Sequence, residues 1–227
     1  MVAIPPGSLI VNTVVYGHEW MVMADNRLKP AEWVNAGLKA LAKSGFSALK
    51  ADTLANRLGI SRGSFYWHFA DVAAFHAAIL RRWREIALEN IIDEIEEAFD
   101  DRLEALASRA FSRDTGIERA VRAWATADGR ARAAVEAVDA ERIRYLRKLL
   151  TDAGISPSVA DTRARIINWC YLGFALSSNK LDRDALKQVV GDLSQLARAK
   201  PGRSAEEARA LRAATRTSRR GARRPSR

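Results

Sequence analysis

The sequence predicts an all-α protein, an N-terminal helix-turn-helix head of three helices followed by a C-terminal helical bundle, and three observations lead there. Apolar residues recur at spacings of three and four from Pro30 to Ala199. The interruptions fall on turn and capping residues: Gly45, Gly59-Ile60-Ser61, Asp71, Asp128-Gly129, Ser156-Pro157 and Asp182. The one β-branched run, Leu9 to Tyr16, has no second run to pair with, and an isolated strand is unstable.

Residues 1–24 carry that run together with Pro5-Pro6-Gly7 and read as a short strand or a flexible N-terminal arm, the arm being the expectation. Met21 and Met23 stand just ahead of the helical pattern and are expected alternative starts of translation, which the intact mass of native protein would settle. The first helix opens at Pro30, turns Trp33, Val34, Gly37, Leu38 and Leu41 inward, and stops at Gly45. The second, about Lys50 to Leu58, buries Leu54, Ala55 and Leu58, with Phe46 and Leu49 expected beneath it. Gly59 suits the positive φ of a helix end and Ser61 suits an N-cap, so a third helix runs from Arg62 to Phe69. That is a helix-turn-helix signal. Phe65 and Phe69, four apart, turn inward, and Arg62, Ser64, Tyr66, Trp67 and His68 take the remaining faces, a mixture suited to a DNA backbone. Asp71 caps a fourth helix whose Phe75, Ile79, Trp83, Ile86, Ile91 or Ile92, Ile95 and Phe99 hold the helical period for about seven turns, long enough to join two domains. The head is therefore placed at residues 25–76 and the body at 77–199.

Further breaks are expected near Arg113 to Gly116, Asp128-Gly129, Asp152 to Pro157 and Ser177 to Asp182. The helix after Gly129 sets Val135, Val138, Tyr145, Leu146 and Leu149 on one face. The last two helices, Pro157 to Ser178 and Asp182 to Ala199, offer Val159, Ile166, Ile167, Cys170, Phe174 and Leu176, then Leu186, Val189, Val190, Leu193 and Leu196. These faces are broader than one small domain needs to bury, which makes residues 157–199 the expected homodimer surface, closing by two-fold symmetry into a four-helix bundle where Gly173 permits close approach.

The net charge of +10 is unevenly placed. Residues 200–227 hold ten Lys or Arg against two Glu and carry +8, whereas residues 1–199 carry +2. The segment reads as a disordered basic tail, so charge belongs to the tail and any sequence reading to the motif. The lone cysteine, Cys170, sits among Trp169, Tyr171 and Leu172 and is expected in a buried apolar setting in a reducing compartment. His18, His68 and His76 lack the spacing of a metal pair, and no nucleophile-base pair or Gly-rich phosphate loop occurs, so neither a metal, nor a cofactor, nor an enzyme is expected. No apolar run approaches the roughly 20 residues of a membrane span, and the N-terminus lacks the basic start of a signal peptide, so a cytoplasmic protein without membrane partners is expected.

The run Gly59-Ile60-Ser61-Arg62-Gly63-Ser64-Phe65-Tyr66-Trp67-His68-Phe69, preceded by Leu54-Ala55 and followed by a long helix, closely resembles the DNA-binding domain of TetR-family transcriptional repressors over about residues 30–76. The helices out to Ala199 resemble, more loosely, the family's ligand-binding and dimerising half. The resemblance implies an all-helical homodimer that binds double-stranded operator DNA and is released by a small-molecule effector. It also implies phosphate contacts at Tyr66 and His68 and a phosphate donor at Ser64. Two positions depart from the family: Lys50 stands where a Thr or Ser commonly caps the second helix, and Val72 where a Lys is common. Lys50 cannot accept the orphan N–H bonds but reaches a phosphate.

Arg62 is placed to read a guanine edge bidentately or to hold a phosphate, Gly63 allows close backbone approach or is merely tolerated in a first turn, and Trp67 either lines the groove or locks packing. Trp83, Trp124, Tyr145, Trp169 and Tyr171, with Phe174, are candidates to line a ligand cavity between helices, with ordinary core packing as the alternative for each. His76 and Asp139 are further polar candidates, weighed against structural roles. The expected function is a ligand-responsive regulator, a repressor, on a near-palindromic operator. The competing reading is a non-specific DNA-binding or architectural protein driven by the basic tail.

Overall fold

The computed structural model describes residues 28–96, 101–178 and 181–199, and none of these forms a strand. The expected arm, the starts at Met21 and Met23, Phe99 and the basic tail lie outside the described residues.

Helix α1 (Pro30–Ser44) begins where the Lys29 backbone N–H donates to the Glu32 carboxylate at 2.6 Å, and ends at Gly45, whose φ is +75°. A 3-10 turn, Phe46–Leu49, leads into α2 (Ala51–Leu58). Gly59 adopts φ 67°, ψ 27°, and its N–H returns to the Ala55 carbonyl, closing α2 and turning the chain into α3 (Arg62–His68). Lys50 and Ser61 stand at the starts of α2 and α3, yet neither side chain makes a capping bond. Asp71 does cap: its carboxylate accepts from the Ala74 N–H at 2.6 Å at the start of α4 (Val72–Arg84).

The rings of Trp33, Phe65, Phe69 and Phe75 close on one another at centroid distances of 5.0 to 5.4 Å, mostly edge to face. At Gly37 a Cβ would lie 2.6 Å from Ile79 Cδ1 and 2.7 Å from Phe75 Cζ, so these two side chains of α4 pack directly on the α1 backbone. Phe46 departs from expectation. Leu49 alone fills the space beneath α2, while Phe46 stays 42% exposed and reaches across to stack on Trp124 at 4.9 Å.

The long helix leaving the head is not uniform. At Arg84 it passes into a π-helical stretch, Glu85–Glu89, and resumes as α5 (Asn90–Glu96). The widened turn disturbs the regular ladder of carbonyls. Two arginines take up the slack, Arg113 donating to the Ile86 carbonyl at 3.1 Å and Arg142 to that of Ala87 at 3.2 Å. Apolar periodicity cannot register such a bulge, because its partners come from segments distant in sequence.

The body continues with α6 (Arg102–Ser112), α7 (Gly116–Ala125), α8 (Gly129–Asp152), α9 (Pro157–Leu176) and α10 (Arg183–Arg198). Carboxylate caps at Asp101, Asp128 and Asp182 start α6, α8 and α10. Helix α7 packs on α1 and α8, α8 runs along α9, and α10 lies against α6. One apolar cluster extends from Trp33 through Trp83 to Val121, Trp124 and Val138, so the head and the near end of the body share a core. Smaller clusters around Leu103, Leu150 and Ile167, and around Phe111 and Val190, build the far end. Cys170 is exposed rather than buried. It shares the outer side of α9 with Ile166 and Trp169, while Ala160, Ala164 and Ile167 turn inward.

Candidate nucleic-acid interface and internal cavity

Helix α3 divides its residues by phase. Phe65 is fully buried and anchors the helix on Trp33, whereas Arg62, Gly63, Tyr66 and Trp67 face outward and Ser64 and His68 are half-buried. Trp67 is 79% exposed, which excludes it from the head core. Arg62 Nε pairs with the Asp52 carboxylate at 3.0 Å, its Nη2 donates to the Tyr66 hydroxyl at 3.2 Å, and its guanidinium lies 5.5 Å from the Tyr66 ring centre. The Tyr66 hydrogen bond and then the Asp52 charge push the Arg62 pKa up. Both partners are well exposed, so the pair is weak and exchangeable for a phosphate or a guanine edge. Lys50 is exposed at the head of α2, on the same part of the chain.

A second feature lies inside the body. Helices α5, α6, α8, α9 and α10 and the π-helical stretch line a partly open cavity of about 70 Å3. Its wall is aliphatic, with Leu88, Ile91, Leu106, Leu146, Ile167 and Leu193. Phe111, Tyr145 and Tyr171 add rings, and Arg142, Asn168 and Ser194 add polar atoms.

Beside the cavity sits a buried ion network. Glu118, 5% exposed, receives both arms of Arg142 at 3.0 Å and Arg122 Nε at 2.8 Å, while Arg122 grips Asp139 through both terminal nitrogens at 3.0 and 2.6 Å. Burial pushes the Glu118 carboxyl up, but the Arg142 and Arg122 guanidiniums outweigh it and hold the group below the ordinary carboxylate range. The Arg142 guanidinium also lies 4.9 Å from the Tyr171 ring centre, and burial raises the Tyr171 phenol. His76 sits at the seam of head and body, its ring 5.1 Å from Phe46 and 5.3 Å from Trp124. Burial lowers its pKa, against a backbone hydrogen bond to Leu49 and the Asp128 charge that raise it, with the Arg130 charge adding to the lowering.

Residues 34–79, spanning α1 to α4, match the family of bacterial regulatory proteins named tetR. The match makes α1 to α4 a TetR-type DNA-binding head. TetR-family regulators are DNA-binding proteins rather than enzymes. No curated protein sequence matches the chain. Among solved structures it is similar to a transcriptional regulator from Rhodococcus sp. Rha1, at TM-score 0.60 and 22% identity, covering 77% of this chain and 100% of that one. It is similar to the fatty acid degradation regulator FadR from Bacillus halodurans, at TM-score 0.57 and 14% identity over 75% and 94% of the two chains. The multidrug binding protein EbrR complexed with malachite green gives TM-score 0.52 and 18% identity over 73% and 97%. At these identities the likeness shows the fold, a TetR-like head on a helical body.

Within this TetR-type chain the expected cavity residues separate. Tyr145 and Tyr171 line the cavity, but Trp83, Trp124 and Trp169 do not. Trp83 is 1% exposed in the core shared with the head, and Trp124 is held between Phe46 and His76. Trp169 follows Asn168 on α9 and is rotated about 100° from it, which turns its ring outward to 63% exposure. Asp139 belongs to the ion network rather than the cavity wall. Sequence reasoning missed Arg142, Asn168, Ser194 and the network members Glu118 and Arg122. A signal did exist: Asn168 interrupts Ile166-Ile167-Asn168-Trp169, and Ser194 falls in phase with Val190 and Ala197. Among the described residues no group of three His, Cys, Asp or Glu is placed to hold a metal, and no helix is long and apolar enough to cross a membrane.

Proposed function

We propose that this TetR-family protein is an effector-responsive repressor that binds a near-palindromic operator as a homodimer and leaves it when a small molecule fills the body cavity. Residues 25–76 are the reading head and 77–199 the effector and dimer body. Arg62 reads a base or grips a phosphate, Tyr66, His68, Ser64 and Lys50 position the head on phosphates, and Gly63 and Trp67 lie against the duplex. Two copies of α3 then enter successive major grooves about 34 to 36 Å apart.

One observation carries the effector response: Arg142 lines the cavity and also donates to the Ala87 carbonyl, in the continuous helix that leaves the head. A molecule that fills the cavity presses on Arg142 and Tyr171, which changes the support of that helix and thereby the separation of two heads. Such a molecule favours the dimer that cannot bind DNA, and operator in turn weakens its binding. The dimer is supported by Ile166, Trp169, Leu176, Val189 and Leu196, which leave the outer faces of α9 and α10 apolar at 41% to 69% exposure.

The test is operator selection from random DNA followed by competition. The wild type is expected to keep one selected palindrome under excess random duplex. Arg62→Ala should weaken that complex by about 1 to 3 kcal/mol and relax selectivity at one base pair of each half-site. Loss of the selected site to random competitor would favour instead a non-specific binder driven by the basic tail.

A further inference from the structure

Two polar side chains of the cavity wall are unusual. Asn168, 3% exposed on α9, and Ser194, 5% exposed on α10, both line the cavity, and neither Asn168 Oδ1 nor Ser194 Oγ has a hydrogen-bond partner among the described residues. Buried polar atoms left unpaired destabilise a fold, and nearly all in native proteins are satisfied. On a mostly apolar wall, two such side chains offer hydrogen bonds to a partner from outside.

We propose that the effector is an uncharged, slender aliphatic molecule carrying a hydroxyl or primary amide that bonds Asn168 and Ser194 together. This rests on the reading of the cavity as the effector site. The head group must donate to Asn168 Oδ1 and can accept from the Ser194 hydroxyl, and an alcohol does both through one oxygen. It also serves the opposite orientation of the Asn168 amide, since the same oxygen accepts from an N–H.

The charge balance selects against ions. Arg142 is the one cationic side chain on the described wall, and it is committed to Glu118 through both arms, to the Ala87 carbonyl and to the face of Tyr171. With Arg122 matched by Asp139, the network is two cations against two anions. A carboxylate entering the cavity would have to take Arg142 from Glu118 and leave that carboxylate buried and under-paired, and an ammonium would meet no free acceptor charge. The aliphatic lining suits an alkyl chain better than a fused aromatic system.

The experiment is calorimetric titration of the full-length protein with decanol, decanoate and decylammonium, which share a chain and differ in the head. Decanol is expected to bind at least about tenfold more tightly than either ion. Asn168→Leu combined with Ser194→Ala is expected to lose about tenfold or more in decanol affinity, while its melting temperature without ligand does not fall, because two unpaired polar atoms have been removed. Ser194→Ala alone, which deletes one oxygen, carries the same comparison if the double variant misfolds. Decanoate binding more tightly than decanol, or decanol affinity unchanged in the variants, overturns the proposal and leaves the effector cavity standing. No binding by any probe overturns both the head-group assignment and the cavity's role. Decanol binding as expected with operator affinity unmoved would instead overturn only the effector response.

Discussion

In the head, four aromatic rings from α1, α3 and α4 close on one another and Gly37 has no room for a Cβ. In the body, five helices surround open space and leave two buried oxygens without partners among the described residues. The helices on both sides follow the same amphipathic pattern, so the contrast comes from packing. A region that must present α3 at a fixed angle is filled solid, and ring-on-ring contact makes it move as a unit. The body is built around a gap, and beside that gap Glu118, Arg122, Asp139 and Arg142 form a four-charge network.

Three substitutions test that contrast. Phe75→Ala should cost the most, about 3 to 5 kcal/mol in denaturant unfolding, because the ring is fully buried against Phe65, Phe69 and Gly37 and the site cannot collapse around its loss. A cost near that of an exposed site would mean that the head is not solid. Glu118→Gln should cost about 3 kcal/mol, since it leaves Arg142 and Arg122 buried with one carboxylate between them. Its pH signature is distinct. The folded pKa of Glu118 lies below the ordinary carboxylate value, so its contribution is full above that value and is lost as pH falls through the folded pKa. The variant should therefore lose less stability on acidification than the wild type. His76→Phe should have the smallest effect and keeps the contacts with Phe46 and Trp124. The His76 pKa is lowered, so the wild type is stabilised above the unfolded value of 6.5 and loses that contribution as pH falls from there through the folded pKa. Thermal melts of the variant should be flatter across that window, and equal slopes would show that His76 does not titrate with folding.

Most of the fold was legible because each helix end carries a local signal. Gly45, Gly59, Asp71, Asp128 and Pro157 act within their own turn, and the helices stop or start there. The anchoring of Phe65 was equally legible, since the four-residue spacing to Phe69 settles which side of a short helix faces inward. The cavity was not. Aromatic size suggested Trp83, Trp124 and Trp169, but a cavity wall is decided by which helix lies opposite, and the phase of α9 turns Trp169 out and Asn168 in. The π-helical stretch was hidden for the same reason, as Arg113 and Arg142 reach it from other helices.

The stretch from Leu54 to Phe69 by itself determined that this chain carries a helix-turn-helix, because a left-handed glycine and a short amphipathic helix are set by bonds within a few residues of each other. Tertiary structure alone decided that Trp67 stands in solvent, that Arg62 pairs with Asp52 of the preceding helix, and that Arg142 joins a cavity to the helix leaving the head. Those facts depend on residues up to 55 positions apart in the chain, as between Arg142 and Ala87, and no local preference encodes which distant surfaces will meet.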